Sequence, residues 1–270
     1  MTGDLQQLLN YVRNQRAIDF AAYRLDTIRH RLDLRLAATS MPDYASYHKY
    51  VIENPPELDA LVDSLTIKIS RFFRNSLVFE ALREVVLPDL LNAFGKDTIR
   101  IWCAGCARGE EAYSIAILVK EIFAQEDFPA KVFIIGTDLD SEALANAKEA
   151  LYKSDALVEV KKDYLDKYFD FVDGIYHLKD EIKSLVTFAY HDITTLTAPR
   201  EGIFSNYHLI LCRNVLIYFN QEISLSIRKS LSDAVVKNGY LVLGESETVG
   251  KTLTIDYEEI MNRTKIFKKR

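Results

Sequence analysis

The sequence predicts an α/β protein in two parts: an all-helical N-terminal region, then a mainly parallel sheet covered by helices on both faces, with a small antiparallel β-subdomain. Three observations carry this reading. Residues 1 to about 92 repeat apolar positions at helical spacing and offer no strong strand. From about residue 98, short β-rich runs alternate with helical stretches, which is the pattern of a parallel sheet with crossover helices. Residues 164–184 interrupt that alternation, and Asp173-Gly174 between short aromatic runs signals a hairpin.

Taken in order, the helical part shows Leu5, Leu8, Leu9 and Val12, then Leu25, Ile28, Leu32 and Leu36, then Leu58, Leu61, Val62 and Leu65. Pro42, Pro55 and Pro56 punctuate these helices, and Met41-Pro42-Asp43 reads as a restart. The expected division is a helical domain over 1–75, a linker helix over 76–97 and a sheet domain over 98–270, with its β-subdomain at about 164–184. Strands are expected at Ile99–Cys103, Val132–Thr137, Leu185–Tyr190, His208–Cys212, Tyr240–Leu243 and Thr264–Lys268. Helices fit at Glu111–Ala124, Ser141–Ala150 and Glu222–Val236. The last strand follows its predecessor with no room for a crossover helix, which allows an antiparallel insertion.

Composition sets the broad class. The chain has 270 residues, 49% hydrophobic and 27% charged, enough for one large or two modest domains with an adequate core. A net charge of -5 gives no global attraction for nucleic acid or an anionic membrane surface. No run approaches the length of a membrane span. The first residues, with Asp4, Arg13, Arg16 and Asp19, do not form a signal peptide. Three cysteines argue against a disulfide framework. A cytoplasmic monomer is the expectation.

The chemistry concentrates at W-C-A-G-C-A-R-G-E-E, residues 102–111. The Cys103/Cys106 spacing raises zinc and redox readings. Zinc lacks a second ligand pair, with only Cys212 and scattered histidines remaining. A redox pair belongs at a helix N-terminus, whereas Cys103 ends a strand. The alternative is a strand, a glycine turn at Gly105 and Gly109, and a helix, as in the first unit of a dinucleotide-type fold. The acidic pair Glu110-Glu111 would repel a pyrophosphate. S-adenosylmethionine, with a ribose, a sulfonium, an amino acid end and no phosphate, fits instead. Asp138, ending the next strand, is placed to take the two ribose hydroxyls. Its competing reading is a helix cap, a role that Asp140 and Ser141 fill better.

W-C-A-G-C-A-R-G-E-E-A-Y-S-I-A, G-T-D-L-D-S-E-A-L-A-N-A, L-I-L-C-R-N-V-L-I-Y-F and G-Y-L-V-L-G-E-S-E resemble successive motifs of the chemotaxis receptor glutamate methyltransferases, the CheR-type family. I-K-I-S-R-F-F-R-N resembles the segment that joins the family's helical and catalytic domains. The likeness runs from about residue 20 to the C-terminus. It implies the Rossmann-like fold of S-adenosylmethionine-dependent methyltransferases, and methylation of glutamates on the cytoplasmic helical bundle of chemoreceptors, with S-adenosylhomocysteine as product. It also implies roles. Ser70 and Arg74 would reach the cofactor's methionine end, Glu110 would meet the ligand by the glycine turn, and Asp138 the ribose. Asp192 and Ile193 would flank the adenine, and Arg213 and Asn214 would line the cleft floor. Arg213 and Tyr218 are candidates to orient the substrate carboxylate. Lys68 stands where many family members carry Asn, which changes an acceptor into a cation.

Transfer to a carboxylate needs no general base, because the nucleophile is already ionised at neutral pH. The substrate helix is acidic at its methylation sites, so a basic docking face is expected. Arg24, Arg31 and Arg35 recur at seven and four along one helix face, opposite Leu25, Ile28, Leu32 and Leu36. In the resembling family this helix docks the receptor. Members that tether to a receptor's C-terminal peptide carry a glycine-rich extension in the β-subdomain. Here F-D-F-V-D-G-I-Y-H-L is short, so no dependence on a tether is expected. The competing class is a cofactor-binding sensor or interaction module without methyl transfer.

Overall fold

The computed structural model describes residues 3–16, 18–66, 70–123, 131–199, 206–250 and 255–270. Lys68 and Ala124 lie outside them. The chain divides into two compact units, residues 1–68 with 218–224, and residues 69–217 with 225–270.

The first unit contains α1 (Gly3–Arg16), α2 (Leu25–Thr39), α3 (Tyr44–Glu53) and α4 (Pro55–Leu65). Its core takes most of the apolar stripes expected from the spacing: Leu5, Leu8, Leu9, Val12, Ile28, Leu32, Leu58, Leu61 and Leu65 are buried, joined by Tyr47 and Val51, whereas Leu25, Leu36 and Val62 are only half-buried. The helix restart is at Asp43, whose carboxylate accepts the Ser46 N–H at 2.8 Å. Pro55 and Pro56 open α4, where a missing N–H costs nothing. Residues 218–224 complete the unit. The Arg24 N–H donates to the Tyr218 carbonyl at 2.8 Å and the Asn220 N–H to the Ala22 carbonyl at 2.9 Å. The Tyr23 and Phe219 rings meet with centroids 4.9 Å apart.

The second unit begins with α5 (Ser76–Ala81), which runs through a π-helical turn at Leu82–Val86 into α6 (Leu87–Phe94). This is the stretch expected as a linker. It is core instead: Val78, Phe79, Leu82, Val86, Leu87 and Leu90 pack into the same cluster as the sheet residues Ile99, Ile101 and Leu209. There follow β1 (Ile99–Ala104), α7 (Glu110–Phe123), β2 (Val132–Asp138), α8 (Ser141–Glu149), β3 (Leu151–Tyr152) and α9 (Lys162–Tyr168). Then come β4 (Phe169–Val172), β5 (Ile175–Leu178), α10 (Asp180–Lys183), β6 (Val186–Tyr190), β7 (Tyr207–Cys212), α11 (Gln221–Ala234, of which residues 221–224 belong to the first unit), β8 (Val235–Leu243), β9 (Tyr257–Glu259) and β10 (Ile266–Lys269).

The main sheet has the order β6-β2-β1-β7-β8-β10-β9. The first five strands are parallel, and β7 and β1 are buried almost end to end, as strands covered on both faces must be. β10 inserts antiparallel beside β8, as the short connection allows. The edge strand β9 and the short β3 were not legible: three and two residues carry no periodicity. β3, β5 and β4 form the small antiparallel sheet. Its hairpin turns at Asp173 and Gly174, both with positive φ (51° and 84°), the geometry of a two-residue type I′ turn.

Candidate functional site

Because β1 connects to β2 on one side and pairs with β7 on the other, the strand order reverses at β1, and open α/β sheets bind ligands outside the carboxyl ends of the strands at such a switch point. The loop after β1 is folded tightly over β2. The Gly105 and Cys106 N–H groups both donate to the Thr137 carbonyl, at 2.8 and 3.0 Å. Gly105 has a φ of +74°, and a Cβ there would come within 2.4 Å of Val215 Cγ2, so only glycine fits.

Asp138 ends β2 as expected. Its Oδ2 accepts the Ala107 N–H at 2.8 Å and its Oδ1 the Asp140 N–H at 3.0 Å. The helix cap is Asp140, which takes the Glu142 and Ala143 N–H groups. Burial pushes the Asp138 carboxyl up, opposed by these backbone donors. Each of its oxygens keeps acceptor capacity beyond those bonds.

Glu110 is the first residue of α7 and only 3% exposed. Ser70 hydrogen-bonds its carboxyl, while Oε2 is buried without a partner among the described residues. Burial is the main force raising its pKa. Ser70 itself does not cap the following helix; Asn75 stands at that position. Arg74 borders a cleft of about 390 Å³ that is also lined by Arg71, Asn75, Ser76 and Glu159.

The remaining expected residues divide. Asp192 starts a 3-10 turn at the end of β6, its Oδ1 accepting the Thr194 N–H and hydroxyl at 2.9 and 2.7 Å, with Ile193 next in the turn. Asn214 follows β7 with a φ of 59°. Arg213 is buried, its guanidinium bonded to Glu111, the Arg74 carbonyl and Asn75. Tyr218 belongs to the first unit, as do Arg31 and Arg35 on α2 and Arg24, which stands at the N-cap of α2 with extended backbone and so falls outside the helical stripe expected from the spacing. Arg35 grips Glu57 of α4 with two bonds of 2.9 and 2.6 Å, and Tyr47 adds its hydroxyl to the same carboxylate.

The sequence reading did not anticipate the pairing of Glu111, noted there only as half of the acidic pair, or any role for Glu247. Glu111 pairs with Arg213 at 2.9 Å. Glu247 accepts from Gly244 N–H (2.6 Å) and Asn214 N–H (3.2 Å) on Oε2, and from Leu216 N–H (2.8 Å) and Ile217 N–H (3.3 Å) on Oε1. It thereby fixes the loop that follows β7. The available signal was the second acid of G-E-S-E, directly after a strand. The thiols of Cys103, Cys106 and Cys212 are buried, and burial pushes all three well above the ordinary range. Among the described residues no cluster of His, Cys, Asp or Glu suits a metal ion. No described helix is long and apolar enough to cross a membrane.

These residues fit S-adenosylmethionine. The glycine turn admits close approach, the orphaned Glu110 oxygen is an acceptor awaiting a donor, and Arg74 offers a guanidinium for a carboxylate.

Comparison with known proteins agrees with that chemistry. Residues 68–266 match the family model described as CheR methyltransferase, SAM binding domain, and residues 3–66 that described as CheR methyltransferase, all-alpha domain. A chemotaxis protein methyltransferase of Borreliella burgdorferi is 29% identical over 261 residues, covering 94% of this chain and 91% of the relative. Chemotaxis protein methyltransferase 1 of Pseudomonas aeruginosa is 32% identical, covering 71% of this chain and 70% of its own. An uncharacterized 104.1 kDa protein of Rhodobacter capsulatus is 30% identical, and the chain spans 24% of its length. Among solved structures, the magnesium protoporphyrin IX methyltransferase of Synechocystis PCC 6803 with bound SAH superposes with a TM-score of 0.37 at 16% identity, over 67% of this chain and 59% of that one.

Proposed function

Because the chain belongs to the CheR methyltransferase family, we propose that it methylates glutamate side chains on the cytoplasmic helical bundle of a chemoreceptor, with S-adenosylmethionine as donor and S-adenosylhomocysteine as product. The observation that supports this most is the buried, half-satisfied Glu110 carboxylate at the glycine turn, a setting hostile to phosphate and suited to a cationic, hydroxyl-bearing ligand. When bound, S-adenosylmethionine supplies the electrophilic methyl group and the leaving group.

The chain's residues bind and align. Asp138 takes ribose hydroxyls with its spare acceptor capacity, Glu110 takes a donor beside the turn, and Ser70 and Arg74 hold the methionine end. Asp192 and Ile193 flank the adenine, and Asn214 borders the crevice floor. The substrate glutamate has a reference pKa of about 4.3, so it arrives ionised and no residue need act as a base. What remains is orientation and partial desolvation, and proximity of this kind supplies roughly 7–11 kcal/mol. Tyr218 is the candidate to orient the substrate carboxylate. Receptor docking falls to Arg31 and Arg35 of α2 with Arg24 at its N-cap, and Arg35 is also held by Glu57. The tight Asp173-Gly174 hairpin supports independence from a receptor's C-terminal tether.

Incubation with tritiated S-adenosylmethionine and receptor cytoplasmic fragments tests this directly. Base-labile label on the receptor is the expected outcome. Bound cofactor with an unlabelled receptor would overturn it in favour of a cofactor-binding module. Calorimetry with a receptor's C-terminal pentapeptide should show no micromolar binding, and such binding would sink tether independence.

A further inference from the structure

The segment that carries Arg74 contains a strained turn. Phe73 and Asn75 both have positive φ, 54° and 66°, a region that residues other than glycine seldom occupy without outside support. That support is visible. The Phe73 N–H donates to Ser114 Oγ on α7 at 2.9 Å, and the Ser114 hydroxyl donates to the Glu110 carbonyl at 2.7 Å. From the end of β7, Arg213 Nη2 donates to both the Arg74 carbonyl and Asn75 Oδ1, each at 2.9 Å. Arg213 Nη1 pairs with Glu111 Oε2 at 2.9 Å, and the guanidinium carbon lies 5.5 Å from the centre of the Phe79 ring. The Arg213 side chain is 2% exposed, so its guanidinium is closed to a substrate.

We propose that Arg213 and Glu111 are positioning residues for cofactor binding. Glu111 orients the guanidinium, the guanidinium fixes the turn over Phe73–Asn75, and the turn presents Arg74 to the cofactor's carboxylate. The assignment rests on the cofactor reading above, and it moves Arg213 away from substrate orientation. A planar fork reaching three acceptors at once is specific to arginine; a lysine ammonium keeps the charge and loses the geometry. Glu111→Gln keeps a hydrogen-bonding oxygen and removes the counter-charge.

The test is calorimetric binding of S-adenosylhomocysteine to the full chain and to Arg213→Lys, Glu111→Gln, Arg74→Ala and the paired variants. Weakening the charge-assisted contact that Arg74 is presented to make should raise Kd by roughly tenfold or more in each of Arg213→Lys and Glu111→Gln. If they act through Arg74, adding either to Arg74→Ala should cost nothing further. In turnover, the KM for the cofactor should rise with kcat little changed. An unaltered Kd in a folded variant, or losses that add to that of Arg74→Ala, would overturn the proposal. Thermal melts check folding, and Glu111→Gln carries the cycle should Arg213→Lys not fold. A wild-type chain that binds S-adenosylhomocysteine but labels no receptor would refute the glutamate reading and leave this one standing. A wild-type chain that fails to bind it would refute both.

Discussion

Asp138 pins the loop after β1 through the Ala107 N–H on its Oδ2, and the proposed function gives it a second task at the ribose. Asp138→Ala should therefore weaken S-adenosylhomocysteine binding by roughly 10-fold or more, since the lost acceptor is charged and buried; unchanged affinity by calorimetry would refute the ribose role. His208 offers a separate measurement. Its Nδ1 accepts the Arg100 N–H at 2.9 Å. Burial and the Arg100 charge push its pKa from 6.5 down to about 4. The unfolded chain thus takes a proton near pH 6.5 that the folded chain refuses until about 4. Stability should be full above 6.5, fall as pH drops through that window by at most about 3 kcal/mol, and level off below it. Urea titrations of wild type and His208→Gln should show that slope only in the former. Such residues differ in how far they were legible. Glu110 and Asp138 could be read because each sits where one strand ends or one helix begins. The role of Glu247 and the pairing of Glu111 could not, because partners lie 31 and 102 positions away, a distance no local pattern spans.

At the scale of elements, the periodic helices were the easiest to anticipate, because burial follows the spacing along α1 and most of α4, while α2 buries only Ile28 and Leu32 of its four expected positions. Residues 76–97 read as a linker helix because they lie between two textures. Their apolar side chains are what a core needs, and that requirement prevails. α2 carries a second lesson. The Arg24, Arg31 and Arg35 stripe reads as a docking face, yet Arg35 is tied to α4 through Glu57, both side chains largely shielded (24% and 10% exposed). Arg35→Ala should lower the stability of the helical unit by about 1–3 kcal/mol, whereas Arg24→Ala, at an exposed position, should leave it within about 0.5 kcal/mol. Thermal melts separate the two. A receptor-binding defect in Arg24→Ala with an intact melt would then report docking alone.

For the molecule as a whole, the β-α alternation made the parallel sheet readable, while the membership of residues 218–224 was not. Leu216 to Phe219 continue one apolar run, L-I-Y-F, and nothing in that run shows that Tyr218 and Phe219 leave one unit for the other. The Tyr218 and Asn220 backbone bonds to Arg24 and Ala22 decide it. A chain lacking residues 1–68 should therefore lose the partners of this segment. Its residues 218–224 should become susceptible to limited proteolysis while they resist it in the full chain.

That same return segment has a consequence for how relatives of this protein could be recombined. With breaks at 68/69, 217/218 and 224/225, the polypeptide passes from one unit to the other three times. A chimera that exchanges only the first 68 residues would seat a foreign helical bundle on the native Tyr218–Ser224. Domain shuffling by a single gene junction is thereby penalised, and a working hybrid has to carry both pieces of the helical unit together.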